Sequence, residues 1–528
     1  MRSIRISFVA LAAALAAAPA AAQEEVVLLT ASNGLPGDEF AFDLDLEGST
    51  AVVGAHLGDG AVQNSGAVYV FERGPGGWSE TAVVSLPGGA AADHFGWSLD
   101  LSGNTLAVGA HGDDSLGLNA GSVYVFERAA PGSSSWVQTA QLLPAGLGAG
   151  AVFGVEVALF GDVLAVGDPS DDGAGTNTGA VYVFERVGGQ WLEAAKLVGS
   201  NVGSFSGFGE EIACSNGEIA VGAASDGGTG AVYTFAKAGI WFETARLTAA
   251  DTAAGDRFGW SVALRGSELL VGANLHGSGG AAYVFERVGP TWTEKTKLLP
   301  AVLYSGNQFG GSVALAGNHA LVGAPRYDAG FGVNSGAAVL FERDPAATGG
   351  WSELSTLVPT GASHFDNAGG RVAASGATFL VANHEEADDQ GAAGLFELDS
   401  LTGLPSSLSV AAGGVQTLEL DAGPVHGGAA FAMLGSISGT APGLLLDGVL
   451  VPLNVDAYTF LVLGGNSPVA PASGVLQFDG TGTVAFTLPA GSSSNLIGVT
   501  VHHGFLVIDA VTLTVSFASE PAALVFAL

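Results

Sequence analysis

The sequence predicts an all-β chain: a seven-bladed β-propeller closed by an N-terminal strand, then a C-terminal β-sandwich-like domain. Three observations lead there. A paragraph of roughly 50 residues recurs seven times, its strands are apolar on both faces, and the last copy lacks a strand that a leftover N-terminal segment supplies.

The repeat is clearest from Phe95 to Arg128, FGWSLDLSGNTLAVGAHGDDSLGLNAGSVYVFER. Gly103-Asn104 joins the first two strands as a two-residue hairpin turn, in which Gly supplies the positive φ the turn needs. A longer polar loop, His111 to Ala120, leads to the third strand, Ser122 to Phe126. The second strands end at Gly54-Ala55, Gly109-Ala110, Gly167-Asp168, Gly222-Ala223, Gly272-Ala273, Gly323-Ala324 and Ala382-Asn383, 50 to 59 residues apart. Aromatic openers precede them at Phe40, Phe95, Phe153, Phe208, Phe258, Phe309 and, less regularly, Phe365. Trp78, Trp136, Trp191, Trp241, Trp292 and Trp351 open a fourth strand in six copies.

Third strands such as Ala67 to Phe71 (AVYVF) do not alternate as a sheet with one wet face would. Sheets packed face to face around an axis bury both sides. An open solenoid would leave two end sheets uncovered and need capping units, which the sequence does not show. Copy seven has no Trp-led fourth strand after Phe396, whereas Glu25 to Thr30 (EVVLLT) has no partner of its own. The expectation is that this segment completes the last blade. Burying Val26, Val27, Leu28 and Leu29 would then contribute about 6–12 kcal/mol gross, at ~1.5–3 per side chain.

The Phe-Gly openers and the Val-Gly-Ala-(Pro/His/Asn) steps resemble FG-GAP repeats, those of integrin alpha-chain heads and many exported bacterial proteins. The resemblance covers about residues 24–398. Copy seven departs most. Phe365 stands 11 residues before its turn Gly376 where the other openers stand eight before theirs, and Ala382-Asn383 replaces Gly-Ala, so an irregular blade is expected there. In integrin-type members calcium sits in an Asp-x-Asp-x-Asp-Gly loop between the first and second strands. Here that connection is two residues, for example Gly48-Ser49 or Gly161-Asp162, too few for the six to eight oxygens calcium takes. No cofactor is therefore expected, and at most weak Ca2+ binding.

Asp+Glu 50 against Lys+Arg 16 gives a net charge of −34, which argues against nucleic acid or an anionic membrane as partner. Cys214 is the single cysteine, which excludes a disulfide framework; it shares a strand face with Ile212 and reads as a small core residue. Arg2 and Arg5, an apolar run from Ile6 to about Ala18 and Ala20-Ala21-Ala22 before Gln23 form a secretory signal over residues 1–22. The propeller then spans 23–398, a linker 399–405 and the C-terminal domain 406–528. No later stretch reads as a membrane span, so the mature chain is expected to be exported, to the cell surface, periplasm or medium, and monomeric.

In a propeller the loops between strands two and three share one face with those joining consecutive blades. Candidate ligand-face acids there are Asp59, Asp113, Asp114, Asp171, Asp172, Asp328, Glu385 and Asp388, with Asp226, Glu386 and Asp389 beside them. They read either as a carboxylate rim for a cation or basic partner, or as turn residues that bond their own backbone. His56, His111 and His384 share one repeat position, but adjacent sheets lie ~10 Å apart, too far for a common metal ion. Their expected role is to brace the loop base. The Glu-Arg pairs that end third strands (Glu72-Arg73, Glu127-Arg128, Glu185-Arg186, Glu286-Arg287, Glu342-Arg343) read as rim ion pairs between blades. No catalytic motif stands out. The resemblance implies a recognition or adhesion scaffold for protein or glycan. The alternatives are a secreted hydrolase or lyase with a funnel-mouth site, favoured by two carboxylates ~5–10 Å apart in a pocket, and a purely structural surface component.

Overall fold

The computed structural model describes residues 25–398, apart from 75–76, 131–132, 174, 303, 329–333, 345–346, 348, 364–365 and 385–389, together with strands of the C-terminal part. Two-residue turns and apolar runs fold each repeat into a four-stranded antiparallel meander. In the second blade Leu99–Ser102, Thr105–Ala110, Ser122–Arg128 and Trp136–Leu142 pair in that order, and the other blades follow it. First strands touch their neighbours all the way round, the seventh blade's Val372–Ser375 meeting the first blade's Phe40–Glu47, so they line the axis. Second strands are buried along their length, as in Thr105–Ala110, apart from a half-buried first residue at Val163, Glu218 and Thr378, while fourth strands are largely wet, as in Trp136–Leu142.

The glycines of the repeat have a steric cause. A Cβ on Gly109, in the Gly-Ala step of blade two, would lie 2.1 Å from the carbonyl oxygen of Gly154, in the opener of blade three. Gly121, at φ +81, lies equally close to the Phe153 carbonyl. Neighbouring backbones therefore dock where only glycine fits. The docking carries a recurrent hydrogen bond: the N–H groups of Phe95, Phe153 and Phe309 donate to Ser65, Ala120 and Gly279 oxygens at 3.3, 3.1 and 2.8 Å. Each opener ring then meets aromatic rings of its own blade edge-on, Phe95 against Tyr124 and Phe126.

The ring closes as the sequence requires. Glu25–Leu29 pairs antiparallel with Ala392–Glu397, Val27 opposite Leu395 and Leu29 opposite Ala393, completing a sheet with Thr378–Asn383 and Val372–Ser375. Phe40 N–H donates to Gln390 oxygen at 3.2 Å, the same docking bond as elsewhere. The expected burial is corrected, however. Leu29 is 2% exposed, but Val26 is 52% exposed and Val27 and Leu28 are half-buried. Blades diverge toward the perimeter, so an outermost strand covers one side only. The gross contribution falls to about 3–6 kcal/mol, one full side chain and two halves.

Copy seven is also corrected. Ala368, not Phe365, makes the docking contact: it forms the bridge with Gly336 that Phe95 forms with Gly66, and its N–H donates to Ser335 oxygen at 3.1 Å. Ala368 lies eight residues before Gly376, so the spacing is regular and the blade has four ordinary strands. Phe365 itself lies outside the described residues. The third-strand position held by Tyr69 or Tyr124 is Gly394 here, because Pro359 and Phe396 occupy the space a side chain would need.

The rim pairs join consecutive blades, each glutamate meeting a cation of the next: Glu127–Arg186 at 3.1 Å, Glu185–Lys237 at 2.7 Å, Glu397–Arg73 at 2.9 Å, and Glu72 with Arg128. Arg287 and Arg343 instead take Glu218 and Glu268 at the starts of second strands, and Glu286 pairs with Lys295 of its own blade at 2.8 Å.

Beyond the propeller the described strands are again β. Gly414–Asp421 pairs with Thr481–Leu488, Ala430–Ser436 with Thr500–Ile508, and Ser407–Ser409 runs parallel to Ala522–Ala527. The face-to-face packing expected of a sandwich lies outside what is described. No helix among the described residues is long and apolar enough to cross a membrane.

Candidate ligand-binding face

Loops of adjacent blades are stitched into one annulus. Gly150 N–H donates to Leu118 oxygen at 2.9 Å, Phe205 N–H to Asn177 oxygen at 2.7 Å and Gly306 N–H to Ser278 oxygen at 2.6 Å, each tie joining a loop after a second strand to the segment entering the next blade. The candidate acids divide into two sets. Asp59, Asp114, Asp172 and Asp328 each accept the backbone N–H of an asparagine five or six residues on: Asn64, Asn119, Asn177 and Asn334, at 2.7–3.1 Å. Those asparagines sit at φ +44 to +56, where the short polar side chain is tolerated. Asp113, Asp171 and Asp226 lie deeper and accept a third-strand hydroxyl, from Tyr124, Tyr182 and Tyr233, at 2.5, 2.9 and 2.8 Å. Lys196 completes the Asp171 site at 2.6 Å and Arg246 the Asp226 site at 2.7 Å. Hydrogen bonds from those cations hold both carboxyls below their usual range against the burial that would raise them. Both sets have turn and loop-base geometry. Glu385, Glu386, Asp388 and Asp389 lie outside the described residues.

The histidines form part of a larger cluster than their spacing shows. His94, which the repeat comparison did not single out, sits between His56 and His111 with ring centroids 5.2 and 5.0 Å away. Phe42 and Trp97 pack against one another at 4.4 Å; Phe42 meets His56 and His384, and Trp97 meets His56 and His111. Burial, the largest cause, lowers the imidazole pKa of His56 to about 3 and of His111 to about 4, and lowers that of His94. Among the described residues no group of three or more His, Cys, Asp or Glu is placed to hold a metal ion.

A second set of charges, absent from the sequence expectations, plugs the axis. Arg371 of blade seven reaches Glu211 of blade four at 3.0 Å and Asp43 of blade one at 3.4 Å, with Glu156 of blade three beside them. Burial pushes Asp43 up to about 6 and Glu211 up to about 7 despite the arginine. Burial, and then the facing Glu211 and Asp43 carboxylates, push Glu156 well above its usual range. These residues occupy one repeat column, three places after each docking residue: Asp43, Ser98, Glu156, Glu211, Ser261, Ser312 and Arg371. Placing the seventh opener at Phe365 hid Arg371 from that column.

At the hairpin end of the axis a cavity of about 180 Å³ is lined by Asp45, Glu47, Asp100, Ser102, Cys214 and Arg265, among others. Its carboxylates staple blades: Asp45 accepts Leu101 N–H at 2.9 Å, Asp100 accepts Leu159 N–H at 2.6 Å, and Glu47 accepts Gly103 N–H. Asp100, raised by burial and then by the facing Asp45, hydrogen-bonds that carboxylate directly. Cys214 is thus channel-lining as well as packed against the core, and burial pushes its thiol up and keeps it protonated.

The FG-GAP repeat family model matches residues 24–71, 78–126, 136–184, 241–285 and 292–341. Each match opens on or beside a fourth strand and ends in the next blade's third, so the first begins with the seam strand. The chain is an FG-GAP repeat protein. No curated protein matches this FG-GAP chain. Among solved structures, the crystal structure of Saccharomyces cerevisiae Sqt1 matches with TM-score 0.38 and 11% identity, over 71% of this chain and 99% of that one.

Proposed function

We propose that this FG-GAP propeller is an exported, non-enzymatic recognition or adhesion scaffold that takes a protein or glycan on its loop face. The FG-GAP propeller is itself a scaffold for interaction. One observation supports placing the contact on this face: the loop annulus holds Leu35, Val62, Leu118, Phe205, Leu275 and Tyr304 40–70% exposed, on backbone fixed by ties between blades. The hydrolase alternative is less well supported. The described carboxylates at the funnel mouth are taken up by their own loops: Asp59, Asp114, Asp172 and Asp328 accept asparagine N–H groups, and Asp113 and Asp171 accept tyrosine hydroxyls.

The test is a binding screen of the full secreted chain against immobilised glycans and cell-surface proteins, with and without calcium, alongside Val62→Ser and Leu118→Ser. The proposal expects a calcium-indifferent ligand whose binding weakens in those variants. Binding that neither variant affects, or turnover of a glycan, would contradict it. Amino-terminal sequencing of protein recovered outside the cytoplasm tests export, with Gln23 expected as the first residue.

A further inference from the structure

Three places before the docking residue, the loop entering a blade passes through positive φ in blades one, two, three, five and six: Gly37, Ala92, Gly150, Gly255 and Gly306 at +90, +71, +80, +91 and +89. A Cβ built on any of the four glycines meets nothing within 4 Å. The position is one where the backbone wants glycine and a side chain would point into open space. In blade four it is Phe205, at φ +57 and 65% exposed. A bulky residue in the left-handed region is an outlier, and it persists only when its surroundings hold it there. Here the Phe205 N–H is tied to Asn177 oxygen at 2.7 Å, as Ala92, Gly150, Gly255 and Gly306 are tied to their own preceding loops. The ring thus adds backbone strain and buries little, so the fold gives no reason for it.

We propose that Phe205 is the aromatic anchor of a contact with a basic polypeptide whose aliphatic side chains cover the ring. This rests on the loop-face reading above and deepens it. Charge around the ring selects the partner. Asp172 presents an exposed carboxylate that accepts the Asn177 N–H at 2.7 Å, and Glu243 faces the segment before Phe205 through Ser200 at 2.6 Å. Lys196 is already neutralised by Asp171, and Arg257 lies over Trp260 with its guanidinium 4.8 Å from the ring centroid. With a chain charge of −34 behind them, these acids repel an acidic partner and steer a lysine- or arginine-bearing one. Exposed aromatic rings held rigidly are the residues that dominate such contacts.

Selection of a displayed library of short peptides on the full chain tests this, using wild type, Phe205→Gly, Phe205→Tyr and Leu118→Ser. The enriched peptides should carry Lys or Arg flanking Leu, Ile or Val. They should bind Phe205→Gly about 30-fold or more weakly, the loss a central aromatic anchor gives, and Phe205→Tyr nearly as well as wild type. The Tm of Phe205→Gly should equal or exceed that of wild type. A fall in that Tm would make Phe205 a packing residue and overturn the proposal. So would an acidic or uncharged enriched set, no enrichment, or equal binding to Phe205→Gly. Peptides lost on Leu118→Ser alone would remove the Phe205 anchor and leave the loop face standing; peptides indifferent to both variants would remove the loop face too.

Discussion

Arg73 and Glu397 stand 324 positions apart in the chain and 2.9 Å apart in the fold. The same carboxylate accepts the Trp78 indole N–H at 2.8 Å, so one side chain of blade seven holds two of blade one. Its counterpart within the ring is Glu185, which takes Lys237 and Trp241 at 2.7 and 2.9 Å. The seam between the propeller's first and last blades is therefore built like an internal blade junction.

Replacing Glu397 by Ala should destabilise the propeller by about 1–2 kcal/mol, mostly through the lost charge-assisted bonds to a rim that is partly wet. Glu397→Gln should cost less, because the amide oxygen still receives the Trp78 N–H. Urea denaturation at low and high salt checks this, with the gap between the two variants narrowing as salt rises.

Arg371 is the cation among three axial carboxylates. Its replacement by Met should cost about 3 kcal/mol at pH 8, the lower end of the ~3–5 kcal/mol range for a broken buried pair, because the Arg371 side chain is 30% exposed. The sign of the pH dependence follows from the raised carboxyls. Asp43 and Glu211 bind protons in the folded state up to about pH 6 and 7, above their unfolded values, so the strain left in Arg371→Met should shrink as pH falls toward 5. Denaturation midpoints of wild type and variant across pH 5–8 report it.

The histidine cluster acts in the opposite direction. His56 and His111 have folded pKa values of about 3 and 4, below the ordinary 6.5, so the folded state binds fewer protons. The stability they permit is complete above pH 6.5 and drains away as pH falls toward 4. His56→Phe with His111→Phe should flatten the acid limb of a Tm–pH profile. An acid limb unchanged in the double variant would remove the cluster as its cause.

Gly121→Ala tests blade docking. Its Cβ would sit 2.1 Å from the Phe153 carbonyl at a φ of +81, so a loss of about 3 kcal/mol or more is expected from clash and strain together. Gly161→Ala, in an open hairpin turn with no atom within 4 Å, carries only the φ penalty and should cost about 1 kcal/mol.

Repeat period, turn chemistry and two-sided apolar strands made the ring and its closure legible before any coordinates, because each is a local pattern copied several times over. Phe365 shows where that logic fails: an aromatic residue near the right place outweighed Ala368, whose role rests on backbone docking that any small residue can make. The axial set was hidden for a related reason. Asp43, Glu156, Glu211 and Arg371 lie in four different blades, and only ring closure brings them together. His94 escaped because it precedes an opener rather than following a second strand. Val26 is exposed although its sequence context matches a core residue, because an apolar residue on a perimeter strand looks in sequence like one in a core.

Glu25–Leu29 belongs to the last blade, and the whole ring depends on that strand. The decisive measurement is thermal unfolding of residues 23–528 with and without residues 24–31, alongside light scattering. Removal should lower the Tm by several degrees or more and produce association through the bared edge of Ala392–Glu397. An unchanged Tm and a monomeric truncated protein would contradict closure.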